Sequence, residues 1–153
     1  MNRTAIRTAT AIACTAALAL GFSGCGSSKD SGPKTLTSTQ FKSKANKICK
    51  DGNADIKTYG AGITDSSTPT EIVTALDKSA DRVDQEVASI KKLKAPKSKA
   101  DDVSAFLDAV TTATKTIKAQ GVALLQSGAA DPFTDSDAKA KALDLTDCVQ
   151  SGS

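Results

Sequence analysis

The chain has 153 residues, enough for one domain with a hydrophobic core, and carries only 3% aromatics, no tryptophan and no histidine. Few aromatics among many alanines, leucines and lysines favour helices over a β-sandwich, and the missing histidine removes the usual general base, triad member and metal ligand. The formal charge of +3 includes Arg3 and Arg7, which lie in a segment expected to be removed; without them 18 basic residues face 17 acidic ones, which argues against a nucleic-acid partner.

Residues 1–24 read as a lipoprotein signal peptide. Arg3 and Arg7 supply a positive start, Ala9 to Leu20 an apolar run, and Gly21 to Gly24 a small-residue exit. The apolar run is nearer 12 residues than the roughly 20 that a membrane-spanning helix requires. Ser23-Gly24-Cys25 resembles the lipobox of bacterial lipoproteins, although Phe22 stands where leucine is usual. The resemblance implies that Cys25 becomes the first mature residue, carries a diacylglyceryl thioether and receives a further acyl chain of the palmitate type on its amine. At about 0.8 kcal/mol per buried CH₂, two or three such chains hold a protein on a bilayer where one does not. The alternative is an ordinary cut after Ser23, which leaves a secreted, non-lipidated protein and an odd thiol at Cys25.

Residues 25–36 form the lipidated cysteine and a Gly/Ser-rich flexible tether. About ten such residues reach roughly 15–20 Å, which keeps the domain close to the membrane face.

Residues 37–148 are expected to form the domain. Thr37 and Gln40 make a capping box, with Leu36 and Phe41 as its staple, and open a first helix. Phe41, Ala45, Ile48, Cys49, Ile56 and Tyr59 share its apolar face, with Cys49 at the margin and Gly52 weakening the middle. Gly60 to Ser67 is a turn. Thr68-Pro69-Thr70-Glu71 opens a second helix, which keeps apolar spacing through Ile72, Leu76, Val83, Val87 and Ile90 until Pro96 stops it. Lys91, Lys92, Lys94, Lys97 and Lys99 form the dense basic cluster of the chain. They are a candidate contact patch for anionic headgroups or a partner, with compensation of a helix C-terminus as the simpler reading.

A third helix is expected from about Ser98 to Ser127 through Val103, Phe106, Val110, Ile117, Leu124 and Leu125, ended by Gly128. Asp131-Pro132 then starts a short fourth helix through Phe133, Ala140 and Leu143, and residues 149–153 are expected to be a disordered tail. The predicted fold is all-α: an up-and-down antiparallel bundle of three long helices plus a short C-terminal one.

Once Cys14 leaves with the leader and Cys25 is acylated, Cys49 and Cys148 remain, and in an exported chain they read as a disulfide. Two buried free thiols are the alternative. Zinc is excluded, because two cysteines without histidine cannot close a four-ligand site. The segments F-x-x-x-A-N-x-I-C at Phe41 to Cys49 and L-x-D-C at Leu145 to Cys148, with the Ala95-Pro96 junction, resemble a group of small actinobacterial lipoproteins. Gly52 departs from that pattern. The resemblance implies a fold and an address, and no reaction.

Elsewhere the sequence holds little chemistry. Asp51-Gly52-Asn53-Ala54-Asp55 opens like a calcium loop, but Ile56 and Gly62 stand where glycine and glutamate are required. Ser98-Lys99 lies among solvated charges, and Asp81, Asp84, Glu86, Asp135 and Asp137 read as solvated helix and loop charges. The expected function is a non-catalytic binding module, anchored through Cys25 to the extracytoplasmic face of the cell membrane, with an unidentified envelope protein or lipid as partner and no cofactor. A carrier of an apolar molecule is the alternative, and it requires a cavity lined by Ile48, Leu76, Val83, Phe106 and Val110. An enzyme working through carboxylates is a third class and requires buried, convergent ones.

Overall fold

The computed structural model describes residues 35–150. The signal peptide, Cys25 and nearly all of the tether lie outside the described residues, as do residues 151–153. The described chain is all-helical: α1 (Ser38–Gly60), α2 (Pro69–Lys92), α3 (Ala100–Gln120), α4 (Val122–Gln126) and α5 (Thr134–Ala142), with 3-10 turns at Lys97–Lys99 and Thr146–Cys148.

Local chemistry sets the helix starts. At α1 the Gln40 amide donates to Thr37 Oγ1 at 3.2 Å, while Gln40 Oε1 accepts from the Thr37 amide at 3.1 Å. The same reciprocal box opens α2, where Glu71 accepts from the Thr68 amide at 2.7 Å and Pro69 occupies the first turn. This hydrogen bond holds the Glu71 carboxyl below its ordinary pKa.

Cross-helix pairs fix the register. Leu36 meets Lys94, Gly52 meets Glu86 and Asp55 meets Arg82, so each step forward on α1 is a step back on α2. Thr114 bonds Asp84, and Lys118 bridges Asp81 and Asp84, which sets α3 antiparallel to α2 in the same way. α5 packs on α3, and the C-terminal 3-10 turn packs on α1. These contacts close the bundle as a ring around Phe41, Ile90, Phe106, Leu107, Val110 and Leu145. Burial of these side chains, at about 1.5–3 kcal/mol for each large one, is the main force holding the ring closed.

Several expectations need correction. The third helix does not run unbroken to Ser127: Gly121 adopts φ 52° and ψ −129°, a conformation that L side chains avoid, and α4 starts anew from it. Leu125, expected on the apolar face, is 62% exposed because this break turns α4 out of the core. Cys49 lies at the centre of the α1 stripe with Phe41, Ala45 and Gly52, whereas Ile48, Ile56 and Tyr59 flank it half-buried. The packed chain also continues past Cys148. Val149 lies against the core, and the Gln150 amide donates to Asp137 Oδ1 at 2.8 Å.

Candidate functional site

The two cysteine-bearing segments meet in one joint. Cys49 and Cys148 form a disulfide across a sequence separation of 99, and both residues are buried. Asn46 brackets the same turn: its Oδ1 accepts from the Asp147 amide at 3.1 Å, and its Nδ2 donates to the Asp144 carbonyl at 3.3 Å. Asn53 Nδ2 donates to the Asp147 carbonyl at 2.7 Å. Ala45 and Leu145 are fully enclosed behind this clamp, and a larger residue at 45 would separate α1 from the turn. The segments Phe41 to Cys49 and Leu145 to Cys148 are thus the two halves of one structural lock.

One turn from the disulfide lies a group that sequence reasoning misplaced. Glu86 is not a solvated charge: it is 3% exposed, lies against Gly52 of α1, and its Oε1 accepts no hydrogen bond. Its nearest cation is Arg82, with Nη1 3.7 Å from Oε1, and Arg82 Nε donates to Asp55 Oδ2 at 2.7 Å. Burial pushes the Glu86 carboxyl up to about 7; Arg82 opposes the shift, and Asp55 adds to it. The void beside it is about 10 Å³, near the size of one water, and is walled by Cys49, Cys148 and Phe106. A substrate has no room there.

Asp137 is also buried, at 2% exposure, and holds the Gln150 amide on α5. Asp81 and Asp84 are half engaged, both bonded to Lys118, whose pKa they raise. Asp135 remains exposed and pairs with Lys139 at 2.7 Å. Among the described residues no cluster of three metal-ligating groups occurs.

Four of the side chains required of an interior carrier, Leu76, Val83, Phe106 and Val110, are divided between two spaces among the described residues. Val83, Phe106 and Val110 wall the 10 Å³ void, and Leu76, with Val83 again, lines a groove on the flank of the bundle. This groove has a volume of about 350 Å³, within the range of small ligand sites. Its apolar surface comes from Ile56, Leu76, Ala80, Val83, Ile117 and Phe133, and Asn53, Lys57, Ser79 and Gln150 supply its polar groups.

The five lysines are brought to one end of the bundle, around the junction of α2 and α3, and all five are exposed. Lys99 pairs with Asp102 at 3.2 Å; Lys91, Lys92, Lys94 and Lys97 make no ion pair among the described residues. No described helix is long and apolar enough to cross a membrane. No protein-family model, curated protein or solved structure matches the chain.

Proposed function

We propose that the protein is a lipid-anchored, extracytoplasmic binding module that holds an apolar segment of an envelope component in the flank groove. The observation that carries this reading is the groove itself, with six apolar side chains and a few polar groups among its lining. Anchoring is supported by the signal-like leader and by Ser23-Gly24-Cys25. It is supported further by the Cys49–Cys148 pairing, which leaves Cys25 with no partner once Cys14 is removed. The likeness to small actinobacterial lipoproteins points the same way. A catalytic reading gains nothing from Glu86, because a lone carboxyl beside a one-water void has neither a nucleophile nor a substrate to act on.

Two measurements test the proposal. The intact mass of the native protein should equal residues 25–153 plus two or three acyl chains; residues 24–153 without acyl chains would overturn the anchor. A photo-crosslinking residue at Ser79, in the groove, should give a discrete adduct in intact cells, and Ile56→Asp should abolish it while the fold is retained. Equal adducts with Ile56→Asp, or none from Ser79, would remove the groove as the binding site.

A further inference from the structure

The bundle is electrically neutral but strongly polarised along its length. Residues 35–44, 88–105 and 138–144 form one end and hold nine lysines against Asp101, Asp102 and Asp144. The remaining described residues hold seven basic and thirteen acidic side chains. Direct contacts join the three segments at that end. The Leu36 amide donates to the Lys94 carbonyl at 3.0 Å, Lys42 Nζ donates to Asp144 Oδ2 at 2.8 Å, and Lys99, Asp102, Lys139 and Leu143 line one shallow pocket.

Helix dipoles do not account for this arrangement. Lys91 and Lys92 occupy the last turn of α2, where a cation is favourable. Lys97 and Lys99, however, lie in the 3-10 turn that leads into the N-terminus of α3, where a positive charge opposes the dipole. Lys94 lies between the helices. Lys99 is paired with Asp102, but the helix dipoles and ion pairs give no reason for Lys94 and Lys97, and Lys91, Lys92, Lys94 and Lys97 are exposed and unpaired among the described residues.

The Leu36–Lys94 hydrogen bond also fixes where the chain from Cys25 enters the bundle, namely beside the lysines. We infer that this lysine-rich end is a docking face for an anionic bilayer. It acts as a second membrane signal beside the acylated cysteine and sets the bundle upright on the membrane. The acidic end then points away from the headgroups. The groove, which begins at Asn53 and reaches Gly60 at the far end of α1, is held roughly 20–35 Å above the membrane face at 1.5 Å per helical residue. The upright orientation rests on the anchor proposed above. The affinity of the face for anionic lipid does not.

The test uses the processed chain, residues 25–153, with Cys25→Ser, so that no acyl chain contributes. Net charge is then only +1, too small to drive adsorption by itself. Vesicles of phosphatidylcholine with 30% phosphatidylglycerol should bind it at least a hundredfold more strongly than pure phosphatidylcholine, with the difference largely lost above about 0.5 M salt. Each lysine near such a surface is worth about a fivefold gain, so K92Q/K94Q/K97Q should bind roughly a hundredfold more weakly. K50Q/K78Q/K115Q, which removes the same charge elsewhere, should bind within threefold of the parent. Binding independent of anionic lipid, or equal losses in the two triple variants, would overturn the proposal. Loss of acylation in the mass measurement with lipid binding intact would remove the anchor and leave the docking face standing.

Discussion

Cys148→Ser is expected to lower stability by about 2–5 kcal/mol and to loosen the C-terminal segment selectively. The bridge closes a loop with a sequence separation of 99, for which the chain-entropy model gives about 4.7 kcal/mol, the upper end of that range. What the bridge secures is unequal. α1, α2 and α3 are joined by their own core contacts and by the Lys118 and Arg82 bridges, none of which involves Cys148. α5 packs on α3 through Ala140 and Leu143, and the final turn is held to α1 by Leu145, by two asparagine brackets and by the disulfide. Amide exchange should therefore accelerate through residues 132–147 in the variant while the centres of α1, α2 and α3 stay protected. Adding Asn46→Ala should accelerate it further, because the Asp147 amide loses its acceptor at a cost of about 1–2 kcal/mol. Protection in residues 132–147 equal to wild type would show that core packing of Ala140, Leu143 and Leu145 and the asparagine brackets hold the segment without the bridge.

Features that depend on a few neighbouring residues are legible in the sequence. The capping boxes at Thr37 and Thr68 are in place, α2 ends at Lys92 ahead of Pro96, and Gly128, at φ 61°, follows the end of α4 rather than of α3; start and stop signals of this local kind are legible. The break at Gly121 is not, since a lone glycine inside a helical apolar pattern is compatible with an unbroken helix. The structure gives Gly121 a positive φ that the pattern around it does not announce.

The site residues that were missed did leave a signal. Val83, Glu86, Val87 and Ile90 occupy the spacing i, i+3, i+4, i+7, so Glu86 sits on the buried face by position while its charge places it outside. Phe133, Ser136, Asp137 and Ala140 repeat the pattern on α5. On α1, Gly52 continues the stripe of Phe41, Ala45 and Cys49 as a residue with no side chain. A carboxyl in one apolar stripe and an empty position in the facing one are complementary anomalies. Their complementarity depends on the antiparallel register of α1 and α2, which the sequence of either helix alone does not carry. The flank groove was out of reach for the same reason, since its walls come from α1, α2, the end of α3, Phe133 just before α5, and Gln150.

Gly52→Ala is expected to destabilise the protein by about 1–3 kcal/mol, against the direction that helix propensity dictates. Within an isolated helix this change stabilises by roughly 0.5–1 kcal/mol. Here the new methyl would overlap the Glu86 carboxyl, with Glu86 Cγ only 2.9 Å away and about 10 Å³ of free space beside the group. In an E86A background the obstruction is gone, and Gly52→Ala should become neutral or stabilising, so a double-mutant cycle by urea denaturation should give a coupling of at least about 1 kcal/mol. The same contact sets the pH response. The Glu86 carboxyl moves from an ordinary 4.5 to about 7 on folding, so the folded chain holds this proton more tightly than the unfolded one. Its contribution is fully present below pH 4.5, declines as pH rises from there to about 7, and then levels off. The total change is about 3 kcal/mol. E86Q should flatten that part of the stability profile, because its amide does not titrate. A slope between pH 4.5 and 7 that survives in E86Q would assign the titration to another group, and a Gly52→Ala protein more stable than wild type would show that α1 and α2 are not in steric contact at this point.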